Sequence, residues 1–585
     1  MNLFKIILGT FLGLIIFCVV AVVLALTIVG ASMVESPASI DANSVFKISL
    51  DRPIVEKEDN RVATRIRRNI TGGEAGVGLY DLLEAIQLAK TNESIKGIYL
   101  EVGIFEAGYS TLYELRAALE DFKKSGKFIY AYGEILTEKS YYISSVADQL
   151  YMPESGLIEL NGLKIEVLYF KNLFEKLDLK TEVFKAGEFK SAVEPYISDH
   201  MSENDRIQSK ALMEDLYNEF LDKVSASRGI TKDKLFNISD SMKVRNSDAA
   251  LSNKIITAVG YLSDLKKAIA TKVGEKEVKD IHWCNYKSLL SNKPHEQELT
   301  QSVAVIYATG EIVQGRKNQN YISPESLIPE LRKAAEDDNI KAVVLRINSP
   351  GGSALASDII WNEILQLKAK KPVVASMSDV AASGGYYMAM ACDKIVATPN
   401  TITGSIGVFG LFVHAEGLLQ NKLGITSDRE KIGRYADIGS FSKGMNDDER
   451  AIIQQEIEHI YGQFLAKAAK GRHLAVEEIG KHAGGRVWSG ADAINVGLVD
   501  SLGGINDAIA LAASLAKLKA KEYKIEQLPN NDAEDFSELF GGDEEVYEEK
   551  QKVMLRDFYP YLNVLQDMHR VKGIQTRLPY YFTIN

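Results

Sequence analysis

Ser383 follows the apolar run KPVVASMSDVAA and precedes GGYYMAMACD, the placement expected where a strand runs into a helix. A hydroxyl on such a turn faces the unpaired N–H groups of the helix start and the positive end of its dipole, both of which favour a developing negative charge. The chemistry this suits is attack on a carbonyl. A second glycine loop, NSPGGS from Asn348 to Ser353, follows the apolar run AVVLRI. Its glycines allow close backbone approach, so Gly351 or Gly352 could aim an N–H at the same point as Gly384. Two such donors make an oxyanion hole, worth roughly 3–4 kcal/mol per donor. Both loops stand where parallel strands end, which is where open α/β sheets bind ligands.

A serine nucleophile needs a base. The eight histidines fall in no familiar triad context, and no GxSxG elbow surrounds Ser383. A lysine can serve if burial lowers its pKa from the ordinary value of about 10.4. Lys190, in GEFKSAVEP, is the candidate, and the reason lies in an internal repeat.

The chain carries one unit twice. SVFKISLDRPIVEK at 44–57 runs parallel to SVAVIYATGEIVQG at 302–315, and SIKGIYLEV matches NIKAVVLRI. At an offset of 245, Tyr141 and Tyr142 fall on Tyr386 and Tyr387. Strands alternating with amphipathic helices imply βαβ units and a largely parallel sheet. The chemistry is divided between the copies. The first has Glu138 in place of Ser383, Lys139 in place of Gly384, and VGIFEAGYS in place of the glycine loop. The second has Ala436 where the first has Lys190. Each copy thus keeps what the other has lost.

The positioning elements lie in a chain of 585 residues with 46% hydrophobic and 25% charged residues, an ordinary globular balance. A net charge of −11 argues against a nucleic-acid partner, and the basic cluster Arg61, Arg65, Arg67 and Arg68 is expected to be a solvated linker. Cys18, Cys284 and Cys392 show no disulfide framework or zinc pattern. Residues 6–34 carry no charge and exceed the roughly 20 residues that span hydrocarbon. Lys5 before this run and Glu35 after it place the N-terminus in the cytoplasm and the rest outside. The expected division is therefore a membrane anchor at 1–34, units at 35–290 and 291–527, and an acidic tail at 528–585.

At AASGGYY, NSPGGS, TGSIGVFG and GEFKSAVEP the sequence resembles the signal peptide peptidase A (protease IV) family in its long tandem form. The resemblance implies an α/β fold of two tandem Clp protease/crotonase-like αβα units after an N-terminal transmembrane helix. It also implies a Ser-Lys dyad that cleaves peptide bonds without metal or cofactor. Ser383 matches the family's nucleophile, Lys190 its general base, Ser405 the serine that orients the lysine, and Gly352 and Gly384 the oxyanion donors. The first copy has Leu160 opposite Ser405. Implied further are remnant signal peptides and other apolar peptides as substrates, a homotetramer, and a site on the outer face of a bacterial inner membrane. Phe189 stands where a tyrosine is expected, and the acidic tail has no counterpart. The rival readings are a crotonase-type acyl-CoA enzyme, which an extracytoplasmic protein would rarely supply with CoA, and an inactive membrane scaffold.

Overall fold

A computed structural model describes residues 40–59, 64, 76–293, 299–315, 321–520, 522–529 and 573–578, with 9, 13, 14 and 17. Most of the uncharged run, the arginine cluster and the acidic residues Asp543 to Glu549 lie outside the described residues. Among the described residues no helix is long and apolar enough to cross a membrane.

The first copy forms a six-stranded parallel sheet in the order Ala258–Val259, Gln149–Met152, Phe128–Gly133, Ile95–Val102, Ser44–Leu50 and Trp283–Cys284. In the second copy Ser302–Thr309, Ile340–Ser349 and Val373–Ala382 form the centre of a parallel sheet that Lys524–Leu528 extends at one edge. Central strands such as Ile340–Ser349 are buried almost throughout rather than on alternate residues. Helices cover both faces of such a sheet, so the strand reads as a continuous apolar run. In the first copy the helices Leu79–Thr91 and Tyr109–Lys123 bury Leu82, Leu83, Ile86, Leu112, Leu115 and Leu119 in that unit's core.

A third sheet joins the copies. Lys180–Ala186 of the first pairs antiparallel with Val408–His414 of the second, Ala186 opposite Val408 and Lys180 opposite His414. Extending that register by four residues puts Lys190 opposite Gly404, beside Ser405. One strand pairing therefore delivers the lysine of one copy to the serines of the other.

A buried polar network also ties the copies together. The Arg346 guanidinium, fully buried, donates through Nε to Glu56 Oε2 and through Nη2 to Glu114 Oε1, both at 2.7 Å. Ser376 Oγ accepts from Nη1 and Ser378 Oγ from Nη2, at 3.0 Å each. Glu56 also accepts from Asn348 Nδ2 at 3.1 Å, so the residue that opens the NSPGGS loop is held from the first copy.

Candidate active site

The strand Val373–Ala382 runs into the short helix Gly384–Ala389, and Ser383 is the residue between them. Its φ of 56° and ψ of −111° lie where a residue with a side chain is strained. Two hydrogen bonds hold it there: Ser383 N–H donates to Gly404 O at 2.8 Å, and Tyr387 N–H donates to Ser383 O at 2.8 Å. Ser405, at φ 51°, is fixed by its own N–H on Arg486 O at 2.7 Å.

Lys190 reaches into this turn. Its Nζ lies 2.9 Å from Ser383 Oγ, 3.0 Å from Ser405 Oγ and 3.2 Å from Ser405 O. Lys190, Ser383 and Ser405 are all fully buried. Burial pushes the lysine pKa well below its ordinary value. Removal from water disfavours the ammonium, and among the described residues no charged group adds to or offsets that shift.

The glycine loop arrives from the other side. Gly351, at φ 96°, packs so closely on the Gly384 backbone that a Cβ on it would stand 2.7 Å from Gly384 N. The Gly351 N–H donates to Ser349 Oγ at 3.2 Å, whereas Gly352, at φ 153°, pairs with Ile312 and Thr576. Ser353 caps the next helix, Ala354–Lys368, accepting the Ala356 N–H at 3.3 Å. The five residues singled out in the sequence thus lie on four segments: the lysine loop, the strand-to-helix turn of Ser383 and Gly384, the turn at Ser405 and the glycine loop. Among the described residues no group of three or more His, Cys, Asp or Glu is placed to hold a metal ion.

The first copy's equivalent turn is filled differently. Glu138 takes the place of Ser383, and its Oε1 accepts the N–H groups of Gly162 at 2.8 Å and Asn161 at 3.0 Å. Lys139 covers the Tyr109 ring at 5.2 Å. Leu160 is a core residue there, and Ala436, opposite Lys190 in the repeat, lies on an exposed segment.

Comparison with known proteins agrees with this division into copies. Peptidase family S49 matches twice, at residues 121–276 and 365–519, and the Clp protease family matches 294–403. Protease 4 of Salmonella typhi is 37% identical over 451 residues, 75% of this chain and 72% of the relative.

The chain belongs to peptidase family S49.

Protease 4 of Haemophilus influenzae is 32% identical over 496 residues, 82% of this chain and 80% of the relative. The chloroplastic serine protease SPPA of Arabidopsis thaliana is 34% identical over 453 residues, covering 76% and 66%. This S49 chain is a serine protease with two tandem Clp protease-like α/β units, and its substrates are peptides. Neither the acyl-CoA enzyme nor the inactive scaffold is favoured by these matches.

Several S49 residues around the lysine carry no sequence signal by type. Gly485, at φ 83°, lies against the Lys190 backbone, where a Cβ would stand 2.7 Å from Lys190 N. Phe189 N–H donates to Gly484 O at 2.9 Å, and the Phe189 ring faces the Arg486 guanidinium at 5.5 Å. Gln208, on the long helix Glu203–Arg228, donates to Ser191 Oγ at 2.9 Å and accepts Val487 N–H at 3.1 Å. The lysine loop is thereby clamped between the two copies. A Gly-Gly pair at 484–485 is the one signal that could have drawn notice, and it resembles any turn.

Proposed function

We propose that Ser383 and Lys190 are the catalytic dyad of this serine protease. The observation that carries the reading is the 2.9 Å separation of Lys190 Nζ and Ser383 Oγ, both fully buried and 193 residues apart in the chain. In its neutral form the lysine amine has one lone pair and two hydrogens. The lone pair accepts the Ser383 O–H, while the two N–H groups donate to Ser405 Oγ and Ser405 O, so Ser405 fixes the direction of the lone pair. Lys190 takes the serine proton as Oγ attacks the scissile carbonyl, and the N–H groups of Gly352 and Gly384 receive the oxyanion. The resulting ammonium protonates the leaving amine; a water deprotonated by the same lysine then attacks the acyl carbon, the bond to Ser383 Oγ breaks, and the lysine returns the proton to Oγ. Every step uses groups of the chain and water.

The substrate class is an extended peptide with apolar side chains, remnant signal peptides among them, in keeping with the uncharged run at 6–34. That run anchors the protein in a bacterial inner membrane, with units 35–290 and 291–527 on the outer face and no nucleic-acid partner. A homotetramer is the assembly that accompanies this architecture.

Turnover of a quenched apolar peptide tests the dyad. Ser383→Ala is expected to lower kcat by about 10⁴-fold or more, the scale seen when a serine protease loses its nucleophile, with circular dichroism unchanged. Wild-type turnover by folded Ser383→Ala would end this reading.

A further inference from the structure

The internal repeat extends to the long helix that follows each copy's lysine position. Both helices run 26 residues, Glu203–Arg228 in the first copy and Asp447–Arg472 in the second. Both start from a side-chain cap, Ser202 accepting the Asp205 N–H and Asn446 accepting the Glu449 N–H. Aligned on those caps, Gln208 stands opposite Ile452. Ile452 is exposed, whereas Gln208 is 2% exposed. The copy that carries the lysine is therefore the one that buries an amide at this position. Burying an amide is costly unless its hydrogen bonds are made, so its partners define its role.

Gln208 reaches two parts of the site at once. Its Nε2 faces three acceptors: Ser191 Oγ at 2.9 Å, Asp205 Oδ1 at 3.0 Å and Phe189 O at 3.3 Å. Phe189 and Ser191 are the residues on either side of Lys190. Ser191 donates its own hydrogen to Asp205 Oδ1 at 2.8 Å, which leaves its oxygen to accept from the amide. At the other end Gln208 Oε1 accepts the Val487 N–H at 3.1 Å. Val487 stands opposite Gly404 in the sheet, and Gly404 O accepts the Ser383 N–H at 2.8 Å. Arg486, the residue before Val487, holds the Ser405 N–H through its carbonyl at 2.7 Å. One side chain thus bridges the flanks of the lysine to the strand that fixes both serines. Turning the amide over would set its oxygen against the Asp205 carboxylate and the Phe189 carbonyl, and its NH2 against the Val487 N–H, so one orientation serves.

Building on the reading of Ser383 and Lys190 as the dyad, we propose that Gln208 is a positioning residue for that reaction, setting the place of the Lys190 loop relative to Ser383 through the two ends of its amide. It acts through Lys190 and not on the reacting atoms. Without the amide the loop loses its register with Ser383, and a misplacement of about 1 Å between reacting groups costs about 100-fold in rate.

The test uses the full chain and asks whether the effect of Gln208 runs through Lys190. Gln208→Met keeps the volume and removes both ends of the bridge. On a quenched apolar peptide it is expected to lower kcat about 100-fold, with KM changed by no more than about twofold. The rate at which a fluorophosphonate labels Ser383 should fall with kcat. In a Lys190→Met background the same substitution should slow labelling no further, because the group that it positions is gone. Ser191→Ala removes the hydroxyl that the amide holds. It is expected to give a smaller loss of about tenfold with the same dependence on Lys190, and it carries the test if Gln208→Met does not fold. A folded Gln208→Met with wild-type kcat overturns the proposal. So does one that slows labelling by the same factor with and without Lys190, since the amide would then serve the fold alone. Both results leave the dyad assignment standing as long as Lys190→Met itself labels slowly. Labelling of folded Lys190→Met at the wild-type rate ends the dyad reading and this proposal with it.

Discussion

Lys190→Met is expected to lower kcat by about 10⁴-fold or more, because it removes both the proposed base that activates Ser383 and the proposed acid that protonates the leaving amine. The same substitution is expected to change the pH dependence of stability in a definite direction. In the folded chain Lys190 is fully buried and its pKa is pushed well below the ordinary lysine value. In the unfolded chain it titrates near the ordinary value of about 10.4. Between the two values the unfolded state holds one more proton than the folded state, so the wild-type protein gains stability as pH rises and loses it as pH falls. Methionine fills the same space without a proton. Thermal unfolding measured across pH should therefore show the variant's stability relative to wild type growing as pH falls from about 10 toward neutrality. On the proposed mechanism, the site keeps a lysine at some cost in stability because the neutral amine serves as the base.

Arg346→Met is expected to destabilise the fold by about 3–5 kcal/mol, read from denaturant unfolding, because it leaves charged groups buried without a partner. Glu56 and Glu114 both point at the guanidinium at 2.7 Å and are themselves buried. Burial pushes the Glu114 carboxyl above its ordinary value, so the effect should shrink as pH falls and Glu114 is protonated. Glu56 also holds Asn348, so peptide turnover by the remaining folded protein should fall with it.

Much of the site was legible in the sequence because the repeat supplies an internal control. Ser383 and Lys190 are conspicuous because each is lost from the other copy, as Glu138 and Ala436 show. What brings them together was not legible. The pairing of Lys180–Ala186 with Val408–His414 depends on two strands leaving their own units, which no local pattern announces. Arg346 reads as one polar residue in the apolar run AVVLRI, and its meaning comes from carboxylates 290 and 232 residues away. Gly485 acts through the absence of a Cβ next to Lys190, a property of the assembled backbone. The segment GIQTR has no alternation of apolar and polar residues, and its strand exists because two edges flank it. The expected strands and helices around Ser383, by contrast, are set by local apolar runs and glycine turns, and they stand where the sequence places them.

The central claim, that a neutral buried Lys190 activates Ser383, is tested most directly by the rate at which a fluorophosphonate modifies the protein as a function of pH. The adduct is located by peptide mass spectrometry. The account predicts modification at Ser383 alone, at a rate that rises through a single midpoint well below the ordinary lysine value of about 10.4 and that collapses in Lys190→Met. A rate in folded Lys190→Met equal to wild type, or an adduct on another serine, would contradict it.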